Sequence, residues 1–278
     1  AKGMRLNAGK LLMYINCPQE LRDDADTWYT DSKELIERWH RKGRLGYAIT
    51  PRFALTSSSA QLAAAGRLAS EYPDVWVHTH LAENMDEVEE IARLFPDSRS
   101  YLDVYEQHGL LRERAVFAHC LHMDAQDRRS MATAGGAAAF CPTSNLFLGS
   151  GLFDLSSMRE AGIRCGLGTD VGGGTSLSLL RTASEAYKVL HLQEHALPAA
   201  RALYLATLGA AEALYLDDKI GNFAPGKEAD FAVLDYEGTT LTKRRIAAAS
   251  TIEEKLFALI TLADDRNIAA TYVNGEQV

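Results

Sequence analysis

Four apolar runs in this sequence stop abruptly on groups that can bind a ligand or move a proton: Arg52-Phe53, His80-x-x-Glu83, His119 and Asp170. That recurrence constrains the fold more than any other feature. An apolar run without alternation is how a strand buried on both faces reads, and functional groups of α/β folds gather where such strands end. Between the runs lie segments of helical spacing, among them Leu35, Ile36 and Trp39 set between charges and the amphipathic stretch Asp86–Phe95. Strand–helix alternation thus dominates residues 4–190 and predicts a parallel α/β architecture. Polar groups at the carboxyl ends of several different strands favour a (β/α)8 barrel, because a doubly wound sheet gathers its ligand site at one switch point. A (β/α)8 TIM-type barrel is expected over residues 1–215, with a small β appendage over 216–278.

In the run Val75-Trp-Val-His-Thr-His-Leu-Ala-Glu83, His78 and His80 share one face, and Glu83 falls in the loop beyond. An imidazole able to hold a metal and a carboxylate able to shuttle a proton, three residues apart, suit metal-assisted hydrolysis. The plain alternative is a strand-end histidine bonded into a core. Arg52 and Phe53 close the run that starts at Leu45. A guanidinium there can donate to a carbonyl or anion, and the ring can support a flat ligand. A surface arginine beside a packing phenylalanine is the alternative. As a metal pair His119-x-x-His122 is weak, and a single inward-pointing His119 fits better. Asp170 precedes Gly172-Gly-Gly174, which permits close backbone approach to a ligand or metal.

The remaining segments carry less. Ser32 to Lys42 and Pro198–Leu208 read as helices, Pro142-Thr-Ser-Asn145 as a loop, and His108 as a helix-end histidine. His191 and His195 have helical metal-pair spacing, but no H-E-x-x-H accompanies them, so they read as solvated. Pro225-Gly226 within Ile220–Asp235 signals a hairpin, and Asn274-Gly275 turns the last strand.

A net charge of -8 spread along the chain argues against nucleic acid and anionic membranes as partners. No apolar run is long enough to span a bilayer, and the start from Ala1 to Asn7 does not read as a leader. Cys17, Cys120, Cys141 and Cys165 form no C-x-x-C pair, which fits free thiols in a reducing, cytoplasmic setting.

Several motifs together resemble the amidohydrolase superfamily, and within it the guanine deaminases. They are Ala8-Gly-Lys, Ile49-Thr-Pro-Arg-Phe53, His78-Thr-His-Leu-Ala-Glu-Asn84, Phe117-Ala-His119, Cys141-Pro-Thr-Ser-Asn-Leu146, Gly166-Leu-Gly-Thr-Asp170 and Ile220-Gly-Asn-Phe-x-Pro-Gly-Lys-x-Ala-Asp230. The Thr-Pro-Arg-Phe stretch points to the guanine branch. The resemblance implies hydrolytic deamination of guanine to xanthine and ammonia, with zinc as cofactor. It places His80 and Asp170 as zinc ligands, Glu83 as proton carrier and Asp170 as base toward the attacking water. His119 would face that water, Arg52 and Phe53 would hold the purine, and His78 would lie beside the site without ligating. It also implies a homodimer. The family's first barrel strand carries a His-x-His pair followed by Pro-Gln, and nothing before residue 78 matches it. The resemblance therefore implies a deaminase fragment that starts near the third barrel strand and is not active alone, an incomplete TIM-type barrel of about six strands with a small β-sandwich appendage. An aminohydrolase of another heterocycle (8-oxoguanine, a triazine, a pterin or cytosine) and a non-catalytic scaffold are the competing readings.

Overall fold

A computed structural model describes residues 3–278, so the part of the leader reading that rests on Ala1 and Lys2 lies outside the described residues. The chain forms two compact units. Residues 3–138 with 160–163 make an amino-terminal unit, and residues 139–159 with 164–278 a carboxyl-terminal one.

The amino-terminal unit is built from parallel strands and the helices that connect them. Its strands are β1 (Leu6–Ala8), β2 (Leu11–Leu12), β3 (Leu45–Pro51), β4 (Trp76–Leu81) and β5 (Ala115–His119). They lie in the order β1-β3-β4-β5, with β2 also on β3. The helices are α1 (Ala25–Trp39), α2 (Ser59–Glu71), α3 (Met85–Leu94), α4 (Tyr101–Gln107) and α5 (Ala125–Ala134). Register sets the site: His80 lies opposite Ala118 and Leu81 opposite His119, so the two histidines end neighbouring strands one step apart.

Caps decide where these helices begin. Asp24 accepts from the amides of Asp26 and Thr27, so α1 starts well before the Ser32 expected from its apolar stripe. Ser58 and Gln61 form a reciprocal capping box on α2. Asn84 accepts from the Glu87 amide, which makes the residue after Glu83 the first anchor of α3. Gly135, left-handed at φ 76°, closes α5.

Strand β6 (Ala137–Phe140) runs across the boundary between the units. The carboxyl-terminal unit then holds α6 (Pro142–Leu148), α7 (Leu155–Glu160, whose last residue falls outside it) and β7 (Arg164–Leu167). Three helices follow: α8 (Leu179–Leu192), α9 (Ala199–Ala206) and α10 (Leu208–Ala213). Its last elements are β8 (Phe231–Leu234), α11 (Thr240–Ala247), α12 (Ile252–Leu262), β9 (Ile268–Val273) and β10 (Glu276–Gln277). The amide of Gly168 donates to the Phe140 carbonyl at 2.9 Å, joining the ends of β6 and β7. Leu180 of α8, Leu259 of α12 and Ala263 bury together, with Leu234 of β8 packed on them.

Parallel α/β with a separate small antiparallel sheet is the architecture expected, and four local expectations need correction. Pro142-Thr-Ser-Asn145 is the first turn of α6, since proline suits a position whose amide has no helical acceptor. The helix expected over Pro198–Leu208 breaks at Thr207, where φ -130° and ψ -97° leave helical space. Pro225-Gly226 does not close a hairpin: β8 pairs with β9, and residues 219–228 form a loop closed by the Glu228 amide on the Lys219 carbonyl. Strand β7 ends at Leu167, so Asp170 stands in the loop beyond it. The Asn274-Gly275 turn between β9 and β10 forms as expected. Among the described residues no helix is long and apolar enough to cross a membrane.

Candidate active site

The ends of β3, β4 and β5 bring five of the six expected site residues into one succession. The Arg52 guanidinium carbon lies 5.2 Å from the centroid of the Phe53 ring. That ring is 5.6 Å from His80, and His80 stacks on His119 at 5.3 Å with the planes 26° apart. A Glu83 carboxylate oxygen stands 3.7 Å from Nε2 of His119. Arg52 is exposed, Phe53 and His80 are half-buried, and His119 is fully buried. The succession therefore runs from an exposed cation to a fully buried histidine, with the part-buried Glu83 carboxylate beside that histidine.

One bond fixes the chemistry of His80. Its Nδ1 lies 2.7 Å from the carbonyl oxygen of Arg52. A carbonyl only accepts, so Nδ1 carries the proton and Nε2 presents the lone pair. That is the arrangement of a metal-ligating imidazole, whose second nitrogen is held by a backbone acceptor. The donor set at His80 thus fits a metal such as zinc.

The β4 and β5 ends are locked against each other. Ala82, His119 and Cys120 all have left-handed backbones, at φ 48°, 72° and 53°. The Cys120 amide donates to the Leu81 carbonyl, and the amides of Leu121 and His122 both donate to that of Ala82. These bonds hold turns that non-glycine residues rarely adopt. It is His119, not His122, that stacks on His80. His78 points to solvent from the middle of β4.

A buried polar layer stands behind these residues, and reading the sequence did not find it. Glu87, 4% exposed, accepts from the Glu83 amide at 2.9 Å and from the Tyr101 hydroxyl at 2.6 Å. Tyr101 stacks on Tyr105, whose hydroxyl lies 2.8 Å from the His80 carbonyl and 3.1 Å from the Thr79 hydroxyl. Burial pushes both phenols up from their ordinary pKa, so they stay protonated donors. The available signal was two tyrosines at helical i, i+4 spacing on an apolar face, because a buried phenol needs a partner.

Asp170 belongs to the carboxyl-terminal unit. Its backbone is left-handed at φ 48°, and the Gly174 amide donates to its carbonyl at 2.5 Å. A Cβ on Gly173 would stand 3.2 Å from Oδ2 of Asp170 and 2.6 Å from the Ser144 hydroxyl, so the loop leaves this carboxylate room by having no side chain there. The other expectations resolve simply. His108 ends α4 with Nδ1 on the Val104 carbonyl and Nε2 near the Ser59 hydroxyl, and His191 and His195 are exposed. All four cysteines are free thiols, and burial pushes the Cys165 thiol up to about 12.

The amidohydrolase family model matches residues 1–278. The chain is similar to guanine deaminase of Escherichia coli, at 53% identity over 275 residues that cover 99% of this chain and 63% of that protein. It is also similar to the solved E. coli guanine deaminase, with a TM-score of 0.99 over all of this chain and 65% of that one. A structure of guanine deaminase from C. acetobutylicum with guanine bound in its active site matches at 30% identity and a TM-score of 0.88, covering 97% of this chain and 64% of that one. The chain thus spans a little under two thirds of the length of these relatives.

Proposed function

This chain belongs to the amidohydrolase family, and on that premise we propose that it serves the hydrolytic deamination of guanine to xanthine and ammonia. The observation that carries the proposal is the succession Arg52, Phe53, His80, His119 and Glu83. It sets a donor and an aromatic face beside a histidine whose tautomer suits a metal. The similarity to guanine deaminases supports guanine over other heterocycles.

His80 and Asp170 are the residues that would hold a zinc ion. Zinc so held supplies Lewis acidity and brings the pKa of its water down to about 7. The chain's own residues do the rest. Arg52 donates to the purine carbonyl while Phe53 lies against the ring face, which orients a flat polar substrate. Asp170 takes a proton from the attacking water. Glu83 delivers a proton to the ring nitrogen beside the carbon that bears the amine, and His119 faces the tetrahedral centre that forms there. The carbon–amine bond then breaks: the proton held by Asp170 goes to the departing nitrogen, which leaves as ammonia, and the remaining proton of the added water returns to Glu83 as the new carbonyl forms. A homodimer belongs to the same proposal and rests on the resemblance alone, and a cytoplasmic setting belongs to it on the four cysteines that form no C-x-x-C pair.

The test is metal content of the whole protein followed by an absorbance assay of guanine conversion to xanthine. About one zinc per chain with turnover is the expected result. Faster turnover of 8-oxoguanine, a triazine, a pterin or cytosine would move the substrate, and metal without any turnover would remove the deaminase assignment.

A further inference from the structure

We propose that Tyr105 is a positioning residue whose one buried hydroxyl couples the grip on the substrate to the grip on the metal. The proposal rests on the deaminase reading for the roles of Arg52, Phe53 and His80.

Tyr105 lies in α4, wholly buried, with its ring between Tyr101 at 5.7 Å and Phe117 at 5.6 Å. A phenylalanine would fill that space. The hydroxyl nonetheless meets three groups, all on the strand ends that carry the site. It accepts from the Ala54 amide at 2.9 Å, donates to the His80 carbonyl at 2.8 Å, and lies 3.1 Å from Oγ1 of Thr79. Thr79 in turn lies 3.2 Å from the carbonyl of Arg52. Buried hydroxyls are retained where such partners are met.

Proton counting limits the arrangements that the two hydroxyls can share. Tyr105 and Thr79 have one hydroxyl proton each, and the Ala54 amide occupies an acceptor position on Tyr105. However the two hydroxyls orient toward each other, at least one proton goes to the carbonyl of Arg52 or of His80. The Arg52 carbonyl is also the acceptor for His80 Nδ1, at 2.7 Å, and for the His80 amide, at 3.2 Å. A single peptide group therefore carries the Arg52 side chain at one end and fixes the His80 tautomer at the other. Thr79 meets that peptide's carbonyl directly, whereas Tyr105 reaches it only through Thr79 and itself holds the Ala54 amide, at the start of the turn after Phe53, and the His80 carbonyl. Removing the hydroxyl should loosen both grips together.

The experiment compares Tyr105→Phe, Thr79→Val and Phe117→Leu in the whole protein. Zinc affinity is read by chelator competition, KM and kcat with guanine, and Tm by thermal melting. Phe117→Leu perturbs the packing around the same ring and leaves the hydroxyls in place. Tyr105→Phe should weaken zinc binding by about 10–100-fold, the range for partners that orient a metal ligand, and raise KM severalfold. Thr79→Val should act in the same direction by less. Phe117→Leu should lower Tm while zinc affinity stays within twofold. Unchanged zinc affinity and KM in Tyr105→Phe would overturn the proposal, as would an equal loss of zinc affinity in Phe117→Leu. A whole protein that binds zinc but does not turn over guanine would sink the deaminase reading and leave the zinc comparison to decide the positioning role. A whole protein that takes up no zinc would overturn both.

Discussion

The two units hold their functional side chains by opposite means. In the amino-terminal unit His80, Glu83 and His119 are fixed by partners: a carbonyl on Nδ1 of His80, Glu87 under the Glu83 amide, and the carbonyls of Leu81 and Ala82 under the turn after His119. In the carboxyl-terminal unit the loop that carries Asp170 is shaped by glycines whose neighbours stand too close for a side chain. Gly173 leaves the space beside the Asp170 carboxylate, and a Cβ on Gly174 would stand 1.9 Å from the Thr169 carbonyl oxygen. Both units also carry left-handed non-glycine residues at the site, each costing on the order of 1–3 kcal/mol. A hydrogen-bonded frame fixes direction as well as position, whereas a glycine loop fixes position by packing. The first should tolerate changes in volume and fail when a polar partner is lost. The second should show the reverse.

The largest expected effect tests the chemistry for which the first frame is built. Glu83→Gln keeps the size and the backbone bond to Glu87 but cannot carry a proton. In the whole protein turnover should fall by about 10²–10⁴-fold, the usual worth of a positioned acid–base group, while zinc stays bound. Near-normal kcat would remove Glu83 from proton transfer. Next comes Gly173→Ala, which adds only a methyl group to the second frame. That methyl would meet the Ser144 hydroxyl and press on Oδ2 of Asp170. Overpacking of this kind costs about 1–3 kcal/mol, and a displaced site group can cost on the order of 10²-fold in rate. Ser144 is buried, and its hydroxyl has no hydrogen-bond partner among the described residues, so Ser144→Ala should restore much of the Tm. A Gly173→Ala variant with wild-type kcat and Tm would show that packing does not fix Asp170.

This contrast also explains what the sequence made legible. Apolar runs ending on Arg52-Phe53, His80, His119 and Asp170 announced the parallel strands and the candidate residues at or just beyond their ends, because burial on both faces leaves a one-dimensional trace. The start of α1 was missed because its signal is one capping aspartate, Asp24, inside a stretch rich in acids. Helix α11 was missed because it buries little and begins on a threonine pair, Thr239 and Thr242, in a polar segment. The layer of Glu87, Tyr101, Tyr105 and Thr79 was invisible for a different reason. Its members sit on α3, α4 and β4, and only the packing of those elements reveals that four ordinary residues share protons. Left-handed backbone at Ala82, His119, Cys120 and Asp170 likewise leaves no trace in residue type.

The smallest expected effect asks how far the hydrogen-bonded frame extends beyond the site. Asp124 caps α5 a few residues after His119, accepting from the Asp127 amide at 2.8 Å and pairing with Arg99 at 2.7 Å. The Asp127 amide, more than Arg99, holds its carboxyl below the ordinary value of 3.8. A depressed carboxylate contributes stability above its unfolded pKa and loses it as pH falls through the folded value. Asp124→Ala should therefore cost about 1 kcal/mol at neutral pH, the usual worth of a cap, or about 2–4 °C in Tm for a domain of this size. That difference should shrink once pH drops below 3.8, where the wild-type side chain also begins to lose its charge. Zinc affinity and kcat should not move, because the His119 turn hangs on Leu81 and Ala82 and not on α5. If Asp124→Ala lowers kcat by tenfold or more, the frame reaches past the strand ends, and the first helical turn of α5 becomes part of what holds His119.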